Sequence, residues 1–205
     1  MERLITHIYV AKLKHGVTDE QVATWLRAID TLDIDGMLEL RSGPDLGLRE
    51  GNWDVAITAD FTDAAAWHRY NDDALHNQIR GEHAKPIVAE QQRVQFERSR
   101  HFEVPGDIRN VTLLTLKPDA PAGQGEKIVG QLRQLRCKGM HQIDAGVDLG
   151  LQQGNASAAV ICDFDDPEAY TVYDLDELHN EIRAKDIKPH AEAIRRVQFE
   201  LPAAP

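Results

Sequence analysis

Three residues at helical spacing, Tyr70, Asp73 and His76, carry side chains suited to acid–base chemistry. Steps of three residues place them along one stripe of a helix. Histidine exchanges protons near neutral pH, a neighbouring carboxylate can fix its tautomer, and a tyrosine hydroxyl can donate to an oxygen that gains negative charge. This set suits proton abstraction next to a carbonyl, and hence cyclisation, isomerisation or lyase chemistry. The alternative is structural, with His76 bracing a junction between helices.

The same residue types recur as Tyr173, Asp176 and His179 because the chain is a tandem duplication. Gly43 to Glu97 aligns without a gap with Gly146 to Glu200, and about half of the aligned residues are identical, far above chance. We predict a first repeat over residues 1–97, a linker over 98–106, a second repeat over 107–200 and a short tail over 201–205.

Each repeat is predicted to contain four strands and two helical regions. The elements of the first repeat are a strand over Leu4 to Leu13, a helix from Thr18 to about Thr31, strands over Gly36 to Ser42 and Trp53 to Phe61, a helix through Tyr70, a helical run from Asp73 to Gln91 bent near Pro86, and a strand over Arg93 to Glu97. Thr18 and Gln21 form a capping-box pattern at the first helix. The glycine-rich stretch before Trp53 is typical of a turn between strands.

The order β-α-β-β-α-β is that of the ferredoxin-like fold, with an antiparallel sheet and helices on one of its faces. The other face of the sheet needs a cover, which a second sheet can provide. We therefore predict an α+β protein in which two ferredoxin-like repeats form one barrel. The two sheets close either within the chain or between two chains, as in a homodimer.

Candidate substrate contacts lie on the strands. His7 and Tyr9 share one face of the first strand, and Trp53 starts the third strand. The alternative for His7 is a core residue with a satisfied hydrogen bond. The second repeat has Asn110 in place of His7, and it lacks the aromatic residues that correspond to Tyr9 and Trp53. If only one pocket is active, we expect it to be the one in the first repeat.

The overall composition excludes some classes of partner. The 205 residues carry a net charge of -11, which disfavours nucleic acids and anionic membranes. No apolar stretch is long enough to span a bilayer, and no signal peptide is visible. Cys137 and Cys162 do not form a CxxC pair, and we expect buried, reduced thiols and a cytoplasmic location.

The sequence resembles the stress-responsive A/B-barrel (Dabb) family over both repeats. The opening ITHIYVAKLK, the third strand DVAITADF, the helical YNDDALH and the closing VQFE carry the resemblance. Many members have Tyr-x-x-His-Pro-x-His in the helix; here Tyr70 and His76 are retained, whereas Asp73 and Ala74 replace the His-Pro pair. The resemblance implies a dimeric α+β barrel. It also implies, from a plant polyketide cyclase of the family, catalytic roles at the positions of Tyr70, His76 and His7, which in the second repeat are Tyr173, His179 and Asn110.

We thus expect an enzyme without cofactor or bound metal that acts on a small carbonyl compound, polyketide-like or aromatic. His76 would be the general base, Tyr70 the oxyanion donor, Asp73 the group that orients the imidazole, and His7 a substrate contact. One alternative is a noncatalytic stress-response or ligand-binding protein. Another is a haem- or metal-dependent oxygenase-like barrel, by analogy with relatives in the wider superfamily, using His7, Trp53 and His76, or Asn110 with His179 in the second repeat. A cavity of roughly 300 Å³ or more beside His76 would favour a site over a filled core.

Overall fold

The computed structural model describes residues 3–98 and 106–202. Its strands are β1 (Leu4–Leu13), β2 (Met37–Pro44), β3 (Val55–Phe61), β4 (Val88–Arg98), β5 (Ile108–Leu116), β6 (Met140–Val147), β7 (Ala158–Phe164) and β8 (Ala191–Glu200). Its helices are α1 (Asp19–Ile29), α2 (Ala64–Asp72), α3 (Ala74–Ile79), α4 (Lys85–Ile87), α5 (Gln124–Leu132), α6 (Pro167–Leu175) and α7 (Glu177–Ile182), with π-helical turns over Arg80–Ala84 and Arg183–Ile187. Most of the predicted linker (98–106) and tail (201–205) lies outside the described residues.

Each repeat forms one four-stranded antiparallel sheet, in the order β2-β3-β1-β4 and β6-β7-β5-β8. The helices of each repeat cover the outer face of its sheet. The inner faces pack against each other through a shared apolar core that includes Ile8, Phe96, Val111 and Phe199. The predicted α+β fold with two ferredoxin-like repeats is confirmed, and the two sheets close on each other within one chain.

The two-residue period of β1 decides what each sheet face touches. Ile8 and Val10 point into the core between the sheets. Tyr9 and Ala11 pack with the helices of the same repeat, and the His7 ring lies 5.9 Å from the ring of Tyr70. The face that carries His7 and Tyr9 is therefore covered by the helices, while their neighbours meet the second sheet.

Local capping follows the sequence. The Thr18 hydroxyl accepts a hydrogen bond from the Gln21 backbone amide, and the Gln21 side-chain oxygen accepts one from the Thr18 backbone amide, which completes the capping box of α1. Asp63 caps α2 and Asp166 caps α6, each through the amide three residues later. Pro167 occupies the first turn of α6, where a backbone N–H would have no acceptor within the helix.

Several predicted boundaries are wrong by two residues or more, and the structure explains two of these differences. The helical run ends at Ile87 rather than Gln91, and β4 begins at Val88 rather than Arg93, because β4 pairs with β1 along its whole length. β3 begins at Val55 rather than Trp53, because the Trp53 amide donates to the carbonyl of Arg196 on the other sheet, at 2.8 Å. In both places a hydrogen bond between distant parts of the chain overrides the local pattern.

The loops between β2 and β3 and between β6 and β7 do more than turn the chain. Each crosses to the other repeat and hydrogen-bonds to its edge strand. The amides of Leu46 and Trp53 donate to β8 at 2.8 Å, and the amides of Leu149 and Ala156 donate to β4 at 2.8 Å. Each repeat therefore covers a sheet edge of the other, which would otherwise present unpaired backbone groups.

Glycine permits the sheets to approach at two related positions. A Cβ atom at Gly43 would lie 2.8 Å from the Cβ of Phe199, and one at Gly146 would lie 2.5 Å from the Cβ of Phe96. Each phenylalanine belongs to the last strand of the other repeat. The contact between the sheets thus depends on one glycine in β2 and one in β6, because neither has a side chain.

We expect Gly146→Ala to lower the free energy of unfolding by about 1–3 kcal/mol, because the added methyl group overpacks the core against Phe96. The matched control is Gly130→Ala on the exposed face of α5, where an added Cβ meets nothing within 4 Å. That control should raise the free energy of unfolding by about 0.5–1 kcal/mol through helix propensity. Urea unfolding measures both; a Gly146→Ala protein as stable as the wild type would contradict this packing.

Candidate functional site

A cavity of about 280 Å³ lies between the helices and the outer face of the first sheet. Its lining contains the side chains that the sequence singled out in the first repeat, with the exception of Trp53 and Asp73. The residues lining it are His7, Tyr9, Trp25, Ile29, Ile57, Trp67, Tyr70, Asn71, His76, Arg80, Ala84, Lys85, Val88, Ala89, Gln91, Arg93 and Gln152. The volume approaches the roughly 300 Å³ typical of small-molecule sites.

Tyr70 and His76 are brought together by a break between two helices. α2 ends at Asp72, and Asp73 takes an extended conformation with its carboxylate on the His76 amide, at 2.8 Å. The imidazole folds back so that its Nδ1 lies 2.9 Å from the carbonyl oxygen of Tyr70. The two rings stack with their centroids 4.1 Å apart.

This arrangement fixes the tautomer of His76. A carbonyl oxygen only accepts, so Nδ1 must carry the proton, and Nε2 keeps its lone pair. Burial, followed by the positive charge of Arg80, lowers the pKa of His76 to about 4. The ring is therefore neutral at neutral pH and can accept a proton at Nε2.

Asp73 occupies a different position from the one expected of it. Its carboxylate caps α3 through a backbone amide, and the imidazole is oriented by the Tyr70 carbonyl instead. Asp176 and His179 repeat this geometry, with the His179 ring held by the Tyr173 carbonyl at 2.9 Å. The bracing interaction is thus present in both repeats, and it uses only one of the two ring nitrogens.

The phenol of Tyr70 remains protonated. Its side chain is 3% exposed, and burial raises its pKa above the ordinary value of 10. A buried phenol that keeps its proton can donate a hydrogen bond to a ligand oxygen. Tyr70 therefore presents a donor to the cavity whose lining also contains the acceptor nitrogen of His76.

His7 is positioned by a relay from the second repeat. The Asn155 side chain donates to the Gln95 oxygen at 2.8 Å, and the Gln95 amide lies 2.8 Å from Nδ1 of His7. Because the Gln95 oxygen already accepts from Asn155, its NH₂ group donates to His7. Nδ1 of His7 is then the acceptor, and Nε2 carries the proton.

His7 is also neutral. Burial, and then the charges of His76, Arg93 and Arg80, lower its pKa to about 3. The two histidines of this cavity are therefore in complementary states. His76 offers a lone pair, and His7 offers an N–H.

Arg80 and Arg93 are site residues that sequence reasoning missed. Both line the cavity, and both are partly buried. Their charges contribute to lowering the pKa of His7, and Arg80 also contributes to lowering that of His76. The available signal was the sequence spacing, which places Arg80 one turn after His76.

The corresponding cavity of the second repeat is nearly filled, with a volume of about 40 Å³. Arg49, from the loop of the first repeat, reaches into it and forms an ion pair with Asp174. Asp174 also pairs with Arg183 at 3.2 Å. Ile187 and Ile194 take the places of the smaller Ala84 and the polar Gln91. 

The remaining predicted contacts divide between the two cavities. Tyr9 lines the first cavity, and its hydroxyl donates to Gln91 at 3.0 Å. Asn110 lines the second, where it accepts from Gln198 at 2.6 Å. Trp53 lines neither: it packs against the core between the sheets, with the Arg195 guanidinium 5.0 Å from its ring. 

The haem residue set of the first repeat is consequently not assembled, since Trp53 lies away from His7 and His76. In the second repeat, Asn110 and His179 line one cavity, whose volume is only about 40 Å³. Within residues 3–98 and 106–202, no group of three or more His, Cys, Asp or Glu side chains is placed to hold a metal ion. The helices of that same part of the chain include none with the length and apolar character needed to cross a bilayer.

The fold and the cavity define a class of protein, the α+β barrels built from two ferredoxin-like units. The chain belongs to the stress responsive A/B barrel domain family, whose model matches residues 5–99 and again residues 108–201. The two matches correspond to the two structural repeats. No curated protein matches the sequence.

The following three solved structures are similar to this chain, and one of them covers it completely. An anthrone oxidase-like protein is 12% identical, with a TM-score of 0.65 over 100% of this chain and 98% of its own. A dimeric ferredoxin-like protein of unknown function from Thermobifida fusca is 29% identical, with a TM-score of 0.45 over 48% of this chain and 93% of its own. A hydroxynitrile lyase from Passiflora edulis is 17% identical, with a TM-score of 0.44 over 50% of this chain and 99% of its own.

The buried, neutral His7 predicts a pH-dependent stability. Its pKa is about 3 in the folded protein against 6.5 as the usual value, so the unfolded chain binds more protons between these limits. The free energy of unfolding should therefore fall as the pH drops below 6.5 and continue to fall toward 3.

The control is His7→Asn, which introduces the residue of the second repeat and retains an acceptor for Gln95, as Asn110 does for Gln198. Between pH 7 and about pH 4.5, we expect the wild type to lose about 2 kcal/mol more than this variant. Urea unfolding at the two pH values measures the difference. If the wild type and the variant lose the same free energy of unfolding, His7 is protonated in the folded protein at the lower pH.

Proposed function

We propose that the first cavity is the active site of an acid–base enzyme that removes a proton next to a carbonyl group without a cofactor. One observation carries the proposal: two neutral histidines line the same cavity, and they differ in which ring nitrogen carries the proton. His76 presents an unprotonated Nε2, and His7 presents a protonated one. A base and a hydrogen-bond donor in one enclosed space are what enolate formation needs.

The proposed reaction begins when Nε2 of His76 accepts the proton of the C–H bond. The electron pair of that bond forms a C=C bond, and the carbonyl π electrons move to oxygen. His7 and Tyr70 donate hydrogen bonds to the enolate oxygen. In a cyclisation, the enolate carbon attacks a second carbonyl, and the new alkoxide takes the proton back from His76. In an isomerisation, His76 returns the proton to a different atom of the enolate. In a lyase reaction, the carbonyl re-forms, the bond from the neighbouring carbon to the leaving group breaks, and the leaving group takes the proton from His76.

The low pKa of His76 narrows the range of substrates. General bases work best when their pKa lies near the working pH, and that of His76 is about 4. A weak base removes protons only from an activated carbon, such as the one between two carbonyl groups. Polyketide-like and aromatic 1,3-dicarbonyl compounds have such carbons.

A noncatalytic ligand-binding protein is the second candidate. The observation that favours it is the backbone hydrogen bond of His76, which recurs at His179 beside a nearly filled cavity. A histidine that makes the same backbone hydrogen bond beside an open cavity and beside a filled one acts as a structural brace in at least one of the two repeats. The duplication thus supplies a control that separates bracing from catalysis.

We expect His76→Asn to lower the rate of proton abstraction about 10²–10⁴-fold, because the general base is removed. The assay follows deuterium uptake from D₂O at the carbon beside the carbonyl, by NMR, over a panel of small aromatic ketones and 1,3-diketones, each with and without a carboxylate group. His179→Asn breaks the same brace in the other repeat and should leave the rate within about threefold of the wild type.

Equal losses in the two variants would contradict an active site in the first cavity. A wild-type protein that accelerates exchange for no compound of the panel would also contradict the enzyme and favour the ligand-binding alternative. Tyr70→Phe tests the donor separately, with an expected loss of about 10-fold or more in kcat, since one oxyanion donor of the site is removed.

A further inference from the structure

The two cavities differ in charge at corresponding positions. In the second repeat, Asp174 supplies a carboxylate that pairs with Arg183 and with Arg49. In the first cavity, the residues that align with Asp174 and Arg49 are the neutral Asn71 and Gln152. The internal ion pair of the second cavity is therefore absent from the first, while the arginine that corresponds to Arg183 is retained.

That retained arginine is Arg80, and it shares the first cavity with Arg93. Arg80 donates to the neutral Asn77 side chain at 3.3 Å, and Arg93 donates to the backbone oxygen of Gln153 at 3.4 Å. Neither forms an ion pair with a carboxylate of the described residues, and none of the residues lining the cavity is Asp or Glu.

Other residues of the cavity wall carry N–H groups without a hydrogen-bond partner. Nε of Arg93 and the indole N–H groups of Trp25 and Trp67 are buried and have no hydrogen-bond partner within residues 3–98 and 106–202. Lys85 also lines the cavity. Partly buried cations without a counter-ion are costly, and a bound anion would offset that cost.

We propose that the substrate carries a carboxylate group, which binds to Arg80 and Arg93 in the first cavity. The ligand supplies the negative charge that Asp174 supplies to Arg183 in the second repeat. This proposal rests on the proposed function, because it concerns the same cavity. It names the substrate class as a small carbonyl compound with a carboxylate, of a size that a cavity of about 280 Å³ accepts.

Anion binding would also assist the proposed chemistry. The charge of Arg80 is among the causes that lower the pKa of His76. A carboxylate on Arg80 screens that charge, so the base becomes stronger when the correct ligand is present. An uncharged analogue of the same shape would leave His76 as weak as it is in the empty cavity.

The test uses benzoate as the anionic probe and benzamide as its neutral counterpart. Trp25 and Trp67 line the cavity, so ligand binding is followed by quenching of tryptophan fluorescence. We expect benzoate to bind at least about tenfold more tightly than benzamide, the difference expected for a charge-assisted hydrogen bond. Inorganic phosphate should not compete with benzoate, since it lacks the apolar part that contacts the aromatic wall.

Two variants remove the anion site in different ways. Arg80→Gln removes the cation, and Asn71→Asp introduces the carboxylate of the second repeat. Each should weaken benzoate binding about tenfold and leave benzamide binding unchanged. Asn71→Ser controls for the loss of the amide, and Arg183→Gln controls for the loss of an arginine at the corresponding position of the second repeat; both should bind benzoate as the wild type does.

Equal affinity for benzoate and benzamide in the wild type would overturn the proposal, as would equal benzoate affinity in Arg80→Gln and the wild type. If phosphate competes as strongly as benzoate binds, the cavity is a general anion site, and the stated substrate class is overturned. His76→Asn separates the two proposals, because it should abolish deuterium exchange and retain benzoate binding. If this variant still catalyses deuterium exchange, the proposed function has failed. If it no longer binds benzoate, the carboxylate proposal has failed.

Discussion

The reciprocal pairing of each hairpin loop with the edge of the other sheet is the constraint on which the rest of the structure depends. The loop of the second repeat hydrogen-bonds to β4, and the loop of the first repeat hydrogen-bonds to β8. The same loops deliver Gln152 and Asn155 to the first cavity and its surroundings, and Arg49 to the second. Neither cavity is therefore built by one repeat alone, and the tautomer of His7 is set by a residue from the other half of the chain.

Buried charge joins the repeats at a second place. Arg109 is 1% exposed and makes two hydrogen bonds to Asp163, at 2.8 and 2.9 Å. It also reaches Thr58 at 3.0 Å and Glu39 at 3.2 Å, both in the first repeat. A buried guanidinium is tolerated because its N–H groups find acceptors, and the requirement for all these acceptors at once restricts how the two sheets can be placed.

The duplication made the fold predictable, whereas the site was predictable only in part. Periodicity and capping residues such as Thr18 gave the elements, and the spacing of Tyr70 and His76 placed both on one side of a cavity. The Tyr70 carbonyl that orients His76 could not be predicted, because a backbone acceptor leaves no trace in residue types. The relay through Gln95 joins residues far apart in the chain, and only the tertiary structure brings them together.

One signal for the anion site was present in the sequence. Asn71 and Gln152 depart from Asp174 and Arg49 at aligned positions, and the exchange removes one charge of each sign from the first cavity. Read along one repeat, each of these residues is an ordinary polar side chain. Only a comparison of the two repeats, with the knowledge that Arg49 crosses between them, shows that an internal ion pair has been lost.

The Arg49–Asp174 ion pair has a consequence for why such a barrel would be made from one chain. A barrel assembled from two identical subunits must carry the same residues in both cavities. An ion pair that fills one cavity then fills the other as well. Joining the halves covalently breaks that symmetry. In this chain the ion pair fills the second cavity while the first stays open. A change that makes the second cavity more rigid therefore need not alter the first.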